Sequence, residues 1–563
     1  MSRWSGVAAV LLLTLAPVAA EPDEPIERKL AELFEPFDKP GAPGFAVAVV
    51  HDGEIVFKKG YGLASLELDV PITAQSVFYL GSVSKQFVAA SIALLEKDGK
   101  LSLDDDIRDT IPELPDYGSP ITIRHLVHHT SGIRDYLGLM NLAGLGLGHF
   151  HHDDQIVDFL ARQRGLNFDP GEQQLYSNSG YFLLNVIVHR VSGKTLREFA
   201  EERIFKPLGM QNTHFHDDHQ HVIKNRAWAY FPWSPDEYKQ FVTSFDRVGS
   251  GGIFSTVEDL AKWDRNFYSG EVGGKSFVER LHERGRLNSD EQLDYAFGIV
   301  VDEFRGLRRV VHGGALGGYR STLVRFPDER LSVILLANLS SVEPDNLALQ
   351  VAELYLGDRF TDEAGSESAS REVEQADTPE VTEADLQRVA GHYWNTEEKY
   401  TRRVYVKDGK LMYWRGDNSE SELAPLGNDR FRMLGVPVVV DVRFHGTPDD
   451  ESREMSVVVG DDDPVVSVSY EPVNLGEDEL TALAGTYYSD ELDTTYELHV
   501  REGRLVARGR DRQEIELTVV MRDLFTVPGA SLEFSRDKEH GIVGFTLDAG
   551  RVRNLVFERL YDN

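Results

Sequence analysis

Cysteine is absent from all 563 residues, which excludes disulfides, thiol nucleophiles and cysteine-ligated zinc. Basic side chains are scarce as well: 59 Lys and Arg stand against 93 Asp and Glu, a formal charge of -34. A surface of that sign repels a phosphate backbone, so nucleic acid is not expected as a partner. Beyond the first twenty residues, no stretch reaches the roughly 18 consecutive apolar residues that a membrane-crossing helix needs. No stable membrane span is therefore expected in the mature chain. A dinucleotide fingerprint is missing too, because the glycines at 249 to 252 lack both the repeated spacing and a preceding strand. No cofactor is implied.

What is present begins with Arg3, an apolar run from Val7 through Val18, and a small-residue end at Ala19-Ala20. This is the layout of a cleaved secretory signal, residues 1–20, with cutting expected before Glu21. The mature protein is then expected in the periplasm or outside the cell. No cysteine follows the cut to carry a lipid.

Residues 21–360 mix strand and helix signals in the manner of one α+β domain. The run Gly44 to Leu63 reads as a hairpin about His51-Asp52-Gly53, and Tyr295 to Asp302, Arg309 to His312, Tyr319 to Phe326 and Leu331 to Asn338 read as strands. Helical patterns lie between these two groups, together with a Gly- and Leu-rich excursion from Asn141 to His152. Residues 361–383 carry eight acidic side chains against one arginine and almost nothing apolar, so they read as a linker.

The remainder repeats. Gly391, Tyr393, Gly409, Leu411, Asp429 and Phe431 recur as Gly485, Tyr487, Gly503, Leu505, Asp523 and Phe525, all at one offset of 94. Short alternating runs between turn residues, Glu514 to Val520 among them as one strand, make two successive antiparallel β-barrels of the small, lipocalin-like kind, residues 384–473 and 474–563. The shared Gly and Tyr carry no acid-base chemistry and read as structural.

Chemistry concentrates in Phe78 to Gly99, where Gly81 precedes an apolar-periodic run that reads as one buried helix. Ser82 and Lys85 fall in its first turn, on one face. A serine becomes a nucleophile when a neighbour takes its proton, and a lysine can do so if burial lowers its pKa from the ordinary value of about 10.4. Tyr176-Ser177-Asn178, on a tight loop after a Pro-Gly turn, can aim a phenol and an amide into the same cleft. In Val311-His312-Gly313-Gly314-Ala315, a strand ends in a histidine, and glycines permit close approach to exposed backbone. The amides of Ser82 and Ala315 could then form a pair of oxyanion donors.

Ser82-x-x-Lys85, Tyr176-x-Asn178 and His312-x-Gly314, with Leu126 to Gly132 and Phe168 to Tyr181, resemble the serine β-lactamase and penicillin-binding protein superfamily. The likeness spans about residues 35 to 356 and implies a β-lactamase/transpeptidase-like domain, an antiparallel sheet with a helical cluster. The barrel pair is similar to the last two domains of D-aminopeptidase. The resemblance implies Ser82 as nucleophile, Lys85 and Tyr176 as a coupled proton-handling pair, and Asn178 as the group that orients the substrate amide and holds Lys85. His312 and Gly313 stand where the lactamases carry lysine and threonine, which shifts the expectation from penicillins toward small peptides, amides or esters.

The expected function is a secreted serine hydrolase of the D-aminopeptidase or DD-carboxypeptidase type, acting on peptides of peptidoglycan origin or containing D-amino acids. The alternatives are an esterase, a class C-like β-lactamase, and a non-catalytic peptidoglycan-binding protein. His149, His151 and His152, and likewise His214, His216, His219 and His221, lie in polar stretches without a spacing fixed by helix or strand, so no metal site is expected. His125, His128 and His129 read as the wall behind the nucleophile.

Overall fold

A computed structural model of the chain describes residues 24–146, 152–234, 237–242, 246–361, 381–416, 419–436, 439–446, 453–460, 463–510 and 513–561. The expected export signal, residues 362–380 of the expected linker, and His149 and His151 lie outside the described residues.

The central sheet has six antiparallel strands: β1 (Phe45–His51), β2 (Glu54–Tyr61), β3 (Val300–Phe304), β4 (Leu307–Leu316), β5 (Tyr319–Phe326) and β6 (Leu331–Ala337). Their order is β3-β4-β5-β6-β1-β2, so the opening hairpin is laid beside the last strand. Asp52 and Gly53, both at positive φ, make its two-residue turn. Four helices matter most for the site: α1 (Lys85–Lys97), α2 (Asn178–Ser192), α3 (Val257–Ser269) and α4 (Pro344–Leu356).

β1 is buried on both faces, and its alternation shows which layer each residue serves. Phe45, Val47 and Val49 join Leu347, Ala348 and Val351 of α4 in one apolar layer. Ala46, Ala48 and Val50 face the layer that holds α1, α2 and α3. Buried Arg325 of β5 ties sheet to helices, donating to Asp264 of α3 at 2.8 Å and to Gln86 of α1 at 3.2 Å.

Beyond the α+β domain, eight strands from Gly391–Asn395 to Val465–Tyr470 close into a barrel. Nine more form a second antiparallel sheet whose two edges, Glu514–Glu516 and Thr518–Met521, are adjacent in sequence, so it is nearly closed. The internal repeat has a structural cause. Tyr393 and Tyr487 are fully buried and donate to the carbonyls of Val389 and Leu483, each four residues back, at 2.8 and 2.7 Å. Gly391 and Gly485 share φ values of 158° and 152°. Each tyrosine thus pins the helix that precedes its barrel, and a net bond of this kind stabilises by about 1 kcal/mol.

Four expectations need correction. Ser82 does not begin an α-helix: Gly81–Ser84 is a 3-10 turn, and α1 starts at Lys85. β3 starts at Val300 rather than Tyr295, which lies in the irregular approach to it. β4 does not end at His312 but runs through Gly313 and Gly314 to Leu316. Glu514 to Val520 is two strands on opposite edges of the second barrel, not one. Here apolar alternation carried no mark of where hydrogen bonding switches partner.

Candidate active site

The 3-10 turn carrying Ser82 packs against the far half of β4, and two glycines make the approach possible. A Cβ on Gly314 would sit 2.0 Å from the Leu80 carbonyl oxygen and 2.9 Å from the Ser82 amide nitrogen. One on Gly81, whose φ is +52°, would sit 2.5 Å from the Ala315 amide nitrogen. The two amides expected as oxyanion donors therefore come from backbones in mutual contact. The last residue pair between β3 and β4 joins Val300 to Val311. From His312 to Leu316, β4 therefore has β5 on one side and, among the described residues, no strand on the other. That half-strand is a free edge to which an extended substrate can add.

Lys85 is completely buried at the start of α1. Its Nζ lies 3.2 Å from Ser82 Oγ, 3.0 Å from Asn178 Oδ1 and 2.7 Å from the carbonyl oxygen of Ser250. Burial pushes its pKa down to about 7, opposed by the Asp135 carboxylate and assisted by the Arg551 guanidinium. A neutral amine has two N–H groups and one lone pair. The Asn178 and Ser250 oxygens can only accept, so they take both hydrogens and leave the lone pair for the Ser82 hydroxyl.

Asn178 is the first residue of α2 rather than part of a loop. Asp135 Oδ2 accepts from its backbone N–H at 2.7 Å and its side-chain Nδ2 at 2.8 Å. The other oxygen, Oδ1, caps the short helix Tyr136–Leu142. Tyr176 precedes α2 and is hydrogen-bonded to the Ser82 side chain, and burial holds its phenol well above the ordinary value despite that bond. The His129 ring lies 4.3 Å from the Tyr176 ring, and its Nδ1 accepts from the Ser177 N–H at 3.1 Å. Of the three histidines expected behind the nucleophile, His129 thus backs Tyr176, His128 Nδ1 lies 3.2 Å from the Tyr295 carbonyl oxygen, and His125 bonds Thr122 at the start of its own short helix.

His312 is buried, with Nδ1 2.6 Å from the Gly313 carbonyl oxygen and Nε2 3.0 Å from the Tyr295 hydroxyl. A carbonyl only accepts, so Nδ1 carries the proton and Nε2 accepts from Tyr295. Burial, with the nearby Lys85 charge, lowers its pKa to about 4, so the ring is neutral at ordinary pH.

Ser82, Tyr176, Asn178, His312 and Gly313 to Ala315 line a cleft of about 490 Å³, and Lys85 lies behind its wall, in contact with Ser82 and Asn178. The structure thus brings together every site residue expected from the sequence. It adds Asp135, Ser250 and Tyr295 through their hydrogen bonds and Arg551, Arg320 and Asp345 on the cleft wall. The glycines flanking Ser250 were a usable signal of close backbone approach. Arg551, from the tip of a second-barrel hairpin, had none. The other histidine group is held by local contacts: His214 Nε2 lies 3.2 Å from His216 Nδ1, and His219 pairs with Asp246. Among the described residues, no group of three or more His, Asp or Glu is arranged to hold a metal ion.

Residues 30–356 match the family model described as Beta-lactamase, and the chain belongs to that family. Among individual relatives, Penicillin-binding protein 4* of Bacillus subtilis (strain 168) is 30% identical over 430 residues, 74% of this chain and 93% of that protein. The D-aminopeptidase of Brucella anthropi is 29% identical over 318 residues, which cover 56% of this chain and only 59% of that enzyme. In fold, the octameric penicillin-binding protein homologue from Pyrococcus abyssi matches 79% of this chain and 99% of its own, with a TM-score of 0.54 at 22% identity. The D-amino acid amidase of Ochrobactrum anthropi SV3 matches 59% of this chain and 99% of its own, with a TM-score of 0.51 at 21% identity.

Proposed function

We propose that this protein is an exported serine hydrolase that cleaves small peptides or amides through an acyl-enzyme on Ser82. The observation that carries this reading is Lys85, a buried amine with both hydrogens engaged and its lone pair left for a hydroxyl 3.2 Å away. In acylation, Lys85 takes the Ser82 proton as Oγ attacks the carbonyl carbon. The resulting oxyanion is held by the amides of Ser82 and Ala315. Collapse breaks the carbon–nitrogen bond, and the departing nitrogen takes a proton from the Tyr176 hydroxyl, which Lys85 replenishes. Water, activated by the same amine, then splits the acyl ester and returns the proton to Ser82. With its phenol held far above neutrality, Tyr176 serves as a proton donor rather than as the initial base.

A peptide or amide substrate is supported by relatives named D-aminopeptidase. Export is supported by the composition of residues 1–20. The test is labelling with a fluorophosphonate, followed by turnover of D-amino-acid amides, dipeptides, p-nitrophenyl esters and a cephalosporin. Labelling and turnover should both vanish in Ser82→Ala while the fold persists. Turnover retained by that variant would refute the reading.

A further inference from the structure

The second barrel enters the cleft at one point. Its last two strands, Ile542–Ala549 and Val552–Leu560, join through a tight turn at Gly550 and Arg551, and the tip points at the site. The Arg551 guanidinium carbon lies 4.7 Å above the Tyr176 ring centre.

This placement is built rather than incidental. The Arg551 carbonyl accepts from the Asp135 N–H at 3.1 Å and from Asn167 Nδ2 at 3.0 Å. Asn167 Oδ1 in turn accepts from the Arg553 N–H at 2.8 Å. Buried Arg134 donates to the carbonyls of Arg553 and Asn554, both at 2.8 Å, and pairs with buried Glu491 at 2.6 Å. The residue that orients Asn178 thus also fixes the backbone of Arg551. The Arg551 side chain itself is exposed, and among the described residues no carboxylate pairs with it. The other cleft arginine differs, since Arg320 donates to the carbonyls of Gly317 and Tyr319. The carboxylate on the wall, Asp345, lies beside Gly313, where a Cβ would be 3.2 Å from its Oδ2.

We propose that Arg551 is the anchor for a carboxylate on the departing half of the substrate, so that the enzyme releases an amino acid from the C-terminal end of a short peptide. The inference rests on the acyl-serine reading above, because that reading puts the leaving nitrogen at the Tyr176 hydroxyl. The α-carboxylate of a C-terminal residue is two bonds from that nitrogen, which brings it under a guanidinium stationed over the Tyr176 ring. The amide carbon–nitrogen bond breaks, the nitrogen gains one proton, and the amino acid leaves with its carboxylate unchanged. Guanidinium and carboxylate pair in a two-pronged geometry that an amide cannot match.

The experiment uses the full chain and matched N-acetyl dipeptides in D,D and L,L series, each with a free C-terminal carboxylate or a C-terminal amide. Both are measured as substrates and as competitors of p-nitrophenyl ester hydrolysis, and the readout is the carboxylate-to-amide ratio, which cancels any general loss of activity. The wild type should prefer the carboxylate. Arg551→Ala should cut that preference by about 10- to 100-fold, the range for losing one charge-assisted pair. Arg551→Lys should retain part of it, and Arg551→Glu should invert it. A wild type without the preference, or a preference unchanged in Arg551→Ala, would overturn the assignment. Ester turnover surviving in Ser82→Ala would instead overturn the acyl-serine reading, so the two failures are distinct.

Discussion

One carboxylate oxygen of Asp135 accepts from both the backbone and the side-chain amide of Asn178, and so turns the Asn178 oxygen toward Lys85. Asp135 also raises the Lys85 pKa, against the larger effect of burial. Asp135→Asn should therefore have two separable effects. Loss of Asn178 orientation should lower kcat by about 10- to 100-fold, the lower part of the range for disturbed proton transfer. The pH at which activity appears should move down. A pH profile that falls in height without moving would show that Asp135 acts through packing alone.

The amine of Lys85 must be neutral to accept a proton, so kcat/KM should rise with pH through about 7. Arg551 helps to keep that pKa low, and Arg551→Ala should shift the rise to higher pH, opposite in direction to Asp135→Asn. Stability carries the same signature. Between pH 7 and 10.5 the unfolded lysine binds a proton that the folded one does not, so the folded state gains with rising pH in this window. Compared with Lys85→Met, the parent should become relatively more stable from pH 7 to 10, measured by denaturant titration. A stability difference flat in pH would refute a neutral Lys85.

Much of this site was legible because its groups occur in short motifs fixed to regular elements. Ser82 and Lys85 are three residues apart, Tyr176 and Asn178 straddle a helix start, and His312 and Gly314 share a strand face. The tyrosine repeat read as structural is structural, down to the carbonyl each phenol binds. Asp135 and Arg551 escaped notice for a physical reason. They act through contacts between segments 416 residues apart, as in the Asp135 N–H to Arg551 carbonyl bond, and no local period records such a contact. Tyr295 was mistaken for a strand residue because its neighbours alternate, although it makes only an isolated bridge, to Val300, where the ladder with β4 begins.

Tyr295 donates to His312 Nε2, and both side chains are buried. Tyr295→Phe leaves that nitrogen without its donor and should cost about 1–3 kcal/mol in denaturant unfolding. Because His312 has its proton on Nδ1 through Gly313, the ring should keep its place and kcat/KM should fall less than 10-fold, within the range for a lost neutral hydrogen bond. A drop of about 100-fold or more, the size expected for losing a proton-transfer group, would make Tyr295 part of the proton path instead.

Arg134 and Glu491 form a salt bridge with side-chain exposures of only 2% and 7% across the seam between the α+β domain and the second barrel. Glu491→Gln removes one charge and leaves the other buried, a change that typically costs about 3–5 kcal/mol. Because Arg134 also holds the Arg553 and Asn554 carbonyls, the loss should loosen the hairpin that carries Arg551. The variant should unfold earlier and, at temperatures where it is still folded, show a weakened carboxylate-to-amide preference like that of Arg551→Ala. Replacing Arg134 and Glu491 together by apolar residues of similar volume should recover only the part of the loss due to the unpaired charge, because the Arg553 and Asn554 carbonyls and the Arg164 N–H then lose their partners. A Glu491→Gln protein that loses stability yet keeps the full preference would show that the hairpin holds its position without this bridge.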